Sequence, residues 1–83
     1  MDINRLKWAS RRGMRELDLV LLPFVEQQYS NLAEVDKSRF QLLLESEDND
    51  LFDWFMGKSV PADPELLSIV ETIRSYSQRH VNS

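Results

Sequence analysis

The sequence predicts an all-α fold, a small five-helix bundle, from three observations. Eighty-three residues contain only two glycines and three prolines, too few for the tight turns of a β-sandwich or barrel. Five segments carry helical signals, the second with apolar residues at the i, i+3, i+4, i+7 spacing of a helix with one buried face. The hydrophobic fraction of 42% and charged fraction of 29% are those of a globular chain and not of a disordered one. A chain this short buries about 60–65% of its unfolded surface. It is expected to form a single helical domain over 1–83, with 79–83 as a frayed tail, in which every large apolar side chain is structural first.

The first helix is expected from Ile3 to Arg12. Asp2 is its candidate N-cap, because a carboxylate accepts from the unpaired N–H groups of a first turn, and Gly13 stops it. Leu6, with Ile3 and Ala9 or Ser10, gives a weak apolar stripe. The second helix is expected from Met14 to Tyr29, with Leu17, Val20, Leu21, Phe24 and Gln28 on one face and Leu22 and Val25 beside them. Pro23 removes a donor and crowds the Leu19 carbonyl, so a kink or bulge is expected there. A buried strand over Leu19–Val25 is the competing reading, with no second strand to pair it. The third helix is expected from Val35 to Glu45, with Phe40, Leu43 and Leu44 inward. Ala33 is a poor start for it, and Asn31 is the candidate cap one turn earlier. A fourth, from Asn49 to Met56, is capped by Asp48 and ended by Gly57, with Asp50 adding favourable charge to its first turn. The fifth opens on Asp63-Pro64, a cap followed by proline at the first helical position, and buries Leu66, Ile69, Val70 and Ile73.

Composition also bounds the chemistry. With no cysteine, the chain has no disulfide, thiolate nucleophile or Cys-based zinc site. The lone histidine, His80, sits in the expected tail, so neither a Ser-His-Asp triad nor a His-rich metal site is expected. Gly13 and Gly57 stand alone, without a phosphate loop. A cofactor pocket of several hundred Å³ is hard to accommodate at this length. No catalytic residue and no metal site are therefore expected, and the protein is read as a non-enzyme. The longest nearly uncharged run, Leu19 to Val25, is far short of a membrane span of about twenty residues. Met1-Asp2-Ile3-Asn4 carries no signal-like apolar core, so the expected location is the cytoplasm of a bacterium, with a processed organelle protein as the alternative. Glu45, Glu47, Asp48, Asp50 and Asp53 lack the glycine and length of a calcium loop and read as solvated carboxylates at helix ends.

The charge is uneven. Residues 1–15 hold Arg5, Lys7, Arg11, Arg12 and Arg15 against Asp2, a net +4, within a chain of net charge −4. An acidic chain of this kind is not expected to bind nucleic acid, where basic charge supplies most of the affinity. The informative segment is Arg11-Arg12-Gly13-Met14-Arg15-Glu16, which displays forked donors on a helix-breaking corner. A structural account competes with a binding one here. Gly13 could be the N-cap of the second helix, with Glu16 at N3 reaching back to its N–H, and Arg12 could pair with Glu16 across the turn. Trp8 reads equally as an exposed anchor and as a core residue.

Arg12-Gly13-Met14-Arg15-Glu16 fits R-G-x-x-E, and on this motif the chain resembles the flavinylation, or FAD assembly, factors of succinate dehydrogenase. The likeness extends through Trp8-Ala9, Leu22-Pro23-Phe24, Glu45 to Trp54 and Pro61-Ala62-Asp63, covering about Asp2 to Arg74. Ala33 and Asn49 depart from the family pattern only at helix starts. The resemblance implies a five-helix assembly chaperone. It would bind the flavoprotein subunit of succinate dehydrogenase, and in bacteria that of fumarate reductase, and promote covalent attachment of FAD to a histidine of that subunit. It implies partner-binding roles for Arg12, Gly13 and Glu16, with Trp8, Arg11 and Asp50 as secondary candidates. FAD would belong to the partner, no cofactor would be held tightly, and the factor would be a monomer. The alternative is an antitoxin-like or other regulatory helical binder.

Overall fold

Helix periodicity in the sequence becomes five α-helices in the structure, a computed structural model that describes residues 3–81 and side chains as far as Ser77. They are α1 (Ile3–Ser10), α2 (Arg15–Gln27), α3 (Glu34–Leu43), α4 (Asp48–Phe55) and α5 (Pro64–Val81), with a 3-10 turn at Tyr29–Asn31. No strand occurs among the described residues, so the strand reading of Leu19–Val25 is replaced by helix. Asp2 and the side chain of His80 lie outside the described residues. So do Asn82 and Ser83 of the expected tail.

The central helix is α2, which packs on α1, α4 and α5, while α3 packs on α5. Its Leu17, Leu21, Phe24 and Val25 are all buried. They meet Leu6 of α1, Phe40 and Leu43 of α3, Leu51 and Phe55 of α4, and Ile69, Val70 and Ile73 of α5 in one core. The Phe24 ring stacks on Phe40 with centroids 5.7 Å apart and takes the Tyr76 ring edge-on at 5.6 Å. A buried phenylalanine in such a cluster is worth about 3–5 kcal/mol, comparable with the whole stability of a small domain. Tyr76 lies beyond the stripe read from sequence. Its ring is buried, and its hydroxyl donates to Gln27 Oε1.

Helix ends explain most boundary differences. α2 runs through Pro23 without the expected bulge. The carbonyl that proline leaves unpaired belongs to Leu19, which is itself exposed, so water can satisfy it. α2 stops at Gln27, and the chain tightens into the 3-10 turn that contains Asn31. Asn31 therefore does not cap α3, which starts from Ala33 without a side-chain cap. The Asp63-Pro64 start is as read, with Asp63 Oδ1 accepting from the Glu65 N–H at 2.9 Å. α4 ends at Phe55, and Gly57 just beyond its cap has a φ of +78° that suits glycine. There the Lys58 and Gly57 N–H groups return to the Asp53 and Trp54 carbonyls at 2.8 and 3.2 Å, which satisfies two helix-end acceptors. Across α3 and α5, Arg39 donates to Glu65 and, at 3.0 Å, to Asp36. These bonds, Glu65 first, raise the Arg39 pKa above its ordinary value.

Candidate functional site

The motif folds as a corner between α1 and α2. α1 ends at Ser10, two residues before the expected Arg12. Ser10 is fully buried, and its hydroxyl donates to the Leu6 carbonyl at 2.8 Å. Gly13 then adopts φ +81°, a conformation that costs an L-residue about 1–2 kcal/mol. A Cβ placed there would meet no atom within 4 Å, so the requirement is conformational and the space above Gly13 is open.

Two sequence expectations are corrected at this corner. Met14, in extended conformation, is the N-cap of α2, which puts Glu16 at N2 and not at the N3 position of a capping box. The reach-back is made by Asp18, whose Oδ1 accepts from the Arg12 N–H at 2.9 Å. Glu16 is exposed, and its side chain has no hydrogen bond or ion pair among the described residues. Arg12 does not pair with it either. Its guanidinium turns inward, with Nε donating to Asp48 Oδ1 at 2.8 Å, Nη1 to the Leu44 carbonyl at 2.8 Å and Nη2 to the Ser46 carbonyl at 2.7 Å.

One planar fork thus binds a carboxylate and two carbonyls of the link between α3 and α4. Only arginine presents donors in that rigid spread. The Arg12 side chain is 17% exposed, so water competes weakly for these bonds. Asp48, read as the N-cap of α4, is its first helical residue, with Glu47 at the cap position. Its carboxylate is drawn to Arg12. The acidic run is therefore not uniformly solvated, because Asp48 is half-buried and engaged while Glu45, Glu47 and Asp50 are exposed.

Of the site residues read from sequence, the structure brings Arg12 to the N-terminus of α4, where Asp50 lies on the first turn. Gly13 and Glu16 stand outward at the corner, with Arg11 and Arg15 exposed beside them. Trp8 is 81% exposed, which decides the open question against a core role. Asp18, Leu44, Ser46 and Asp48 are the partners that sequence reading missed. The carbonyls leave no mark in sequence, and Asp18 showed only as an acid one turn into α2. No group of three His, Cys, Asp or Glu side chains suited to a metal occurs among the described residues. No described helix is long and apolar enough to cross a membrane. The corner offers hydrogen-bond donors, charge and an approachable backbone, the means of docking.

Residues 4–77 match the Sdh5 family, described as flavinator of succinate dehydrogenase. The chain is 51% identical over 74 residues to the FAD assembly factor SdhE of Shewanella oneidensis, covering 89% of this chain and 90% of that protein. It is 49% identical over 72 residues to the factor of the same name from Pseudomonas aeruginosa, covering 87% and 86%. The factor from Yersinia pseudotuberculosis is 48% identical over 71 residues, covering 86% and 81%.

Proposed function

Because the chain belongs to the family of flavinators of succinate dehydrogenase, we propose that it is an assembly chaperone for the flavoprotein subunit of that enzyme. The proposal extends to the flavoprotein subunit of fumarate reductase as a second client. The factor docks on the immature subunit and favours covalent attachment of FAD to a histidine of the client. It acts as a monomer in the bacterial cytoplasm.

The observation that carries this reading is the Arg12 fork. It fixes the corner against the α3–α4 link, while Gly13 remains open to approach. A partner backbone can then come close at Gly13, with Glu16 and Arg11 on either side. Arg12 acts through the shape of this corner, as a positioning residue. Glu16, exposed and unengaged among the described residues, is the acidic contact. Holding reacting groups in alignment lowers a barrier by several kcal/mol, up to about 7–11 in favourable cases. The factor supplies that alignment, and the client supplies cofactor and nucleophile.

The test is deletion of the gene followed by a denaturing gel of the flavoprotein subunit viewed for bound-flavin fluorescence, with a pull-down in parallel. Loss of fluorescence and capture of the flavoprotein subunit are expected. Undiminished fluorescence in the deletion strain overturns the proposal, and capture of a small toxin in place of the flavoprotein supports the antitoxin-like alternative.

A further inference from the structure

Where the C-terminal end of α4 meets α2 and α5, a groove of about 90 Å³ is lined by Val20, Phe55, Met56, Arg74 and Ser77. Its two polar side chains are unengaged. Arg74 is half-buried, and its guanidinium has no hydrogen bond or ion pair among the described residues. Arg12 and Arg39, which are also half-buried, are each bound by carboxylates. Glu71, one turn before Arg74 on α5, is exposed and does not pair with it. The Ser77 hydroxyl likewise has no hydrogen bond among the described residues, whereas Thr72 on the same helix donates back to the Ser68 carbonyl at 3.1 Å. Gly57 explains where the fork rests. A Cβ there would stand 3.0 Å from Arg74 Nη2, 3.6 Å from Cζ and 3.9 Å from Nη1, so the guanidinium lies against bare backbone. The partial negative charge at the end of α4 favours a cation in this position and engages none of its N–H groups.

We propose that this groove binds a short-chain aliphatic carboxylate, its carboxylate on the Arg74 fork and the Ser77 hydroxyl and its hydrocarbon stem on Val20, Phe55 and Met56. A planar guanidinium matches a carboxylate through two parallel hydrogen bonds, and the hydroxyl adds a third donor. The apolar wall selects among anions. Phosphate and sulfate would turn polar oxygens toward Val20, Phe55 and Met56, where those oxygens find no partner. A cationic ligand is repelled by Arg74. Size selects as well. At roughly 30 Å³ per water, the groove has the space of about three waters, which suits an acid of about three or four carbons and excludes a nucleotide. The site does not depend on which client the protein serves.

The experiment titrates the isotope-labelled full chain with sodium butyrate, acetate and phosphate at fixed pH and ionic strength. Amide and arginine Nε signals are followed by NMR, and circular dichroism melts check the fold of each variant. Butyrate is expected to shift the Gly57 and Ser77 amides and the Arg74 Nε signal saturably, with a dissociation constant of roughly a millimolar. Acetate, shorter by two methylenes, should bind about tenfold more weakly, and phosphate should not saturate these signals. Arg74→Gln should abolish saturable binding, and Ser77→Ala should weaken it about threefold. Butyrate shifts that stay linear to about 50 mM, far above a millimolar constant, overturn the site. Parent-like butyrate affinity in Arg74→Gln overturns it too, and if that variant does not fold, parent-like affinity in Ser77→Ala decides the same way. Phosphate that saturates the same signals as tightly as butyrate also overturns the proposal.

Discussion

Arg12 Nε donates to Asp48 Oδ1 at 2.8 Å across 36 positions of sequence. The contact joins the corner between α1 and α2 to the first residue of α4. The same guanidinium serves the Leu44 and Ser46 carbonyls, so a single side chain closes the α3–α4 link and sets the position of Gly13. The first residue of the R-G-x-x-E motif thus acts within the fold, and the glycine and glutamate face outward.

Arg12→Ala removes a charged donor and leaves two carbonyls and a carboxylate to find water. A cost of about 2–3 kcal/mol is expected, or about 10–20 °C in melting temperature for a domain this size. Arg12→Lys keeps the charge and loses the fork, so it should fall between that variant and the parent. Asp48→Asn keeps an acceptor oxygen and loses charge assistance, for about 1 kcal/mol. Thermal melts measure all three. An Arg12→Ala protein that melts with the parent would refute the structural role.

Asp18 and Glu16 should separate stability from activity. Asp18→Ala loses the bond to the Arg12 N–H and an acidic charge in the first turns of α2, which together cost about 1 kcal/mol. Glu16→Ala removes an exposed side chain without a partner among the described residues, so stability should stay within about 0.5 kcal/mol. Flavin attachment to the client should nevertheless fall in Glu16→Ala. Urea titration and the flavin gel give the two readouts. A Glu16→Ala protein destabilised as much as Asp18→Ala would return Glu16 to a capping role.

What the sequence made legible was local. Leu17, Leu21 and Phe24 announce a buried face through spacing alone. Gly13, Gly57 and Asp63-Pro64 mark helix ends because their conformational preferences act within three or four residues. The Arg12–Asp48 contact depends on how α1, α2 and α4 pack, and nothing near either residue encodes it. Asp48 has the chemistry of a cap and was read as one, but an arginine brought in by the fold takes its carboxylate. The capping-box reading failed by a shift of one residue, since Gly13 turns left-handed and passes the cap position to Met14. The motif itself was visible, whereas its division into an inward arginine and an outward glycine and glutamate required the structure.

The two glycines provide an internal control for the proposed docking corner. Gly13 and Gly57 have nearly the same left-handed φ, +81° and +78°, so alanine at either position pays a similar conformational cost of about 1–2 kcal/mol. Their surroundings differ. A Cβ at Gly13 meets open space, whereas at Gly57 it lies 3.0 Å from Arg74 Nη2, the end of a flexible side chain that can move aside. Gly57→Ala should therefore be at least as destabilised as Gly13→Ala while leaving the corner untouched. If docking needs a bare backbone at Gly13, then Gly13→Ala lowers flavin attachment to the client and Gly13→Arg lowers it further with the fold retained. Gly57→Ala should keep attachment near the parent level at a temperature where both alanine variants are folded. Equal loss of attachment in Gly13→Ala and Gly57→Ala would mean that stability alone explains the motif glycine.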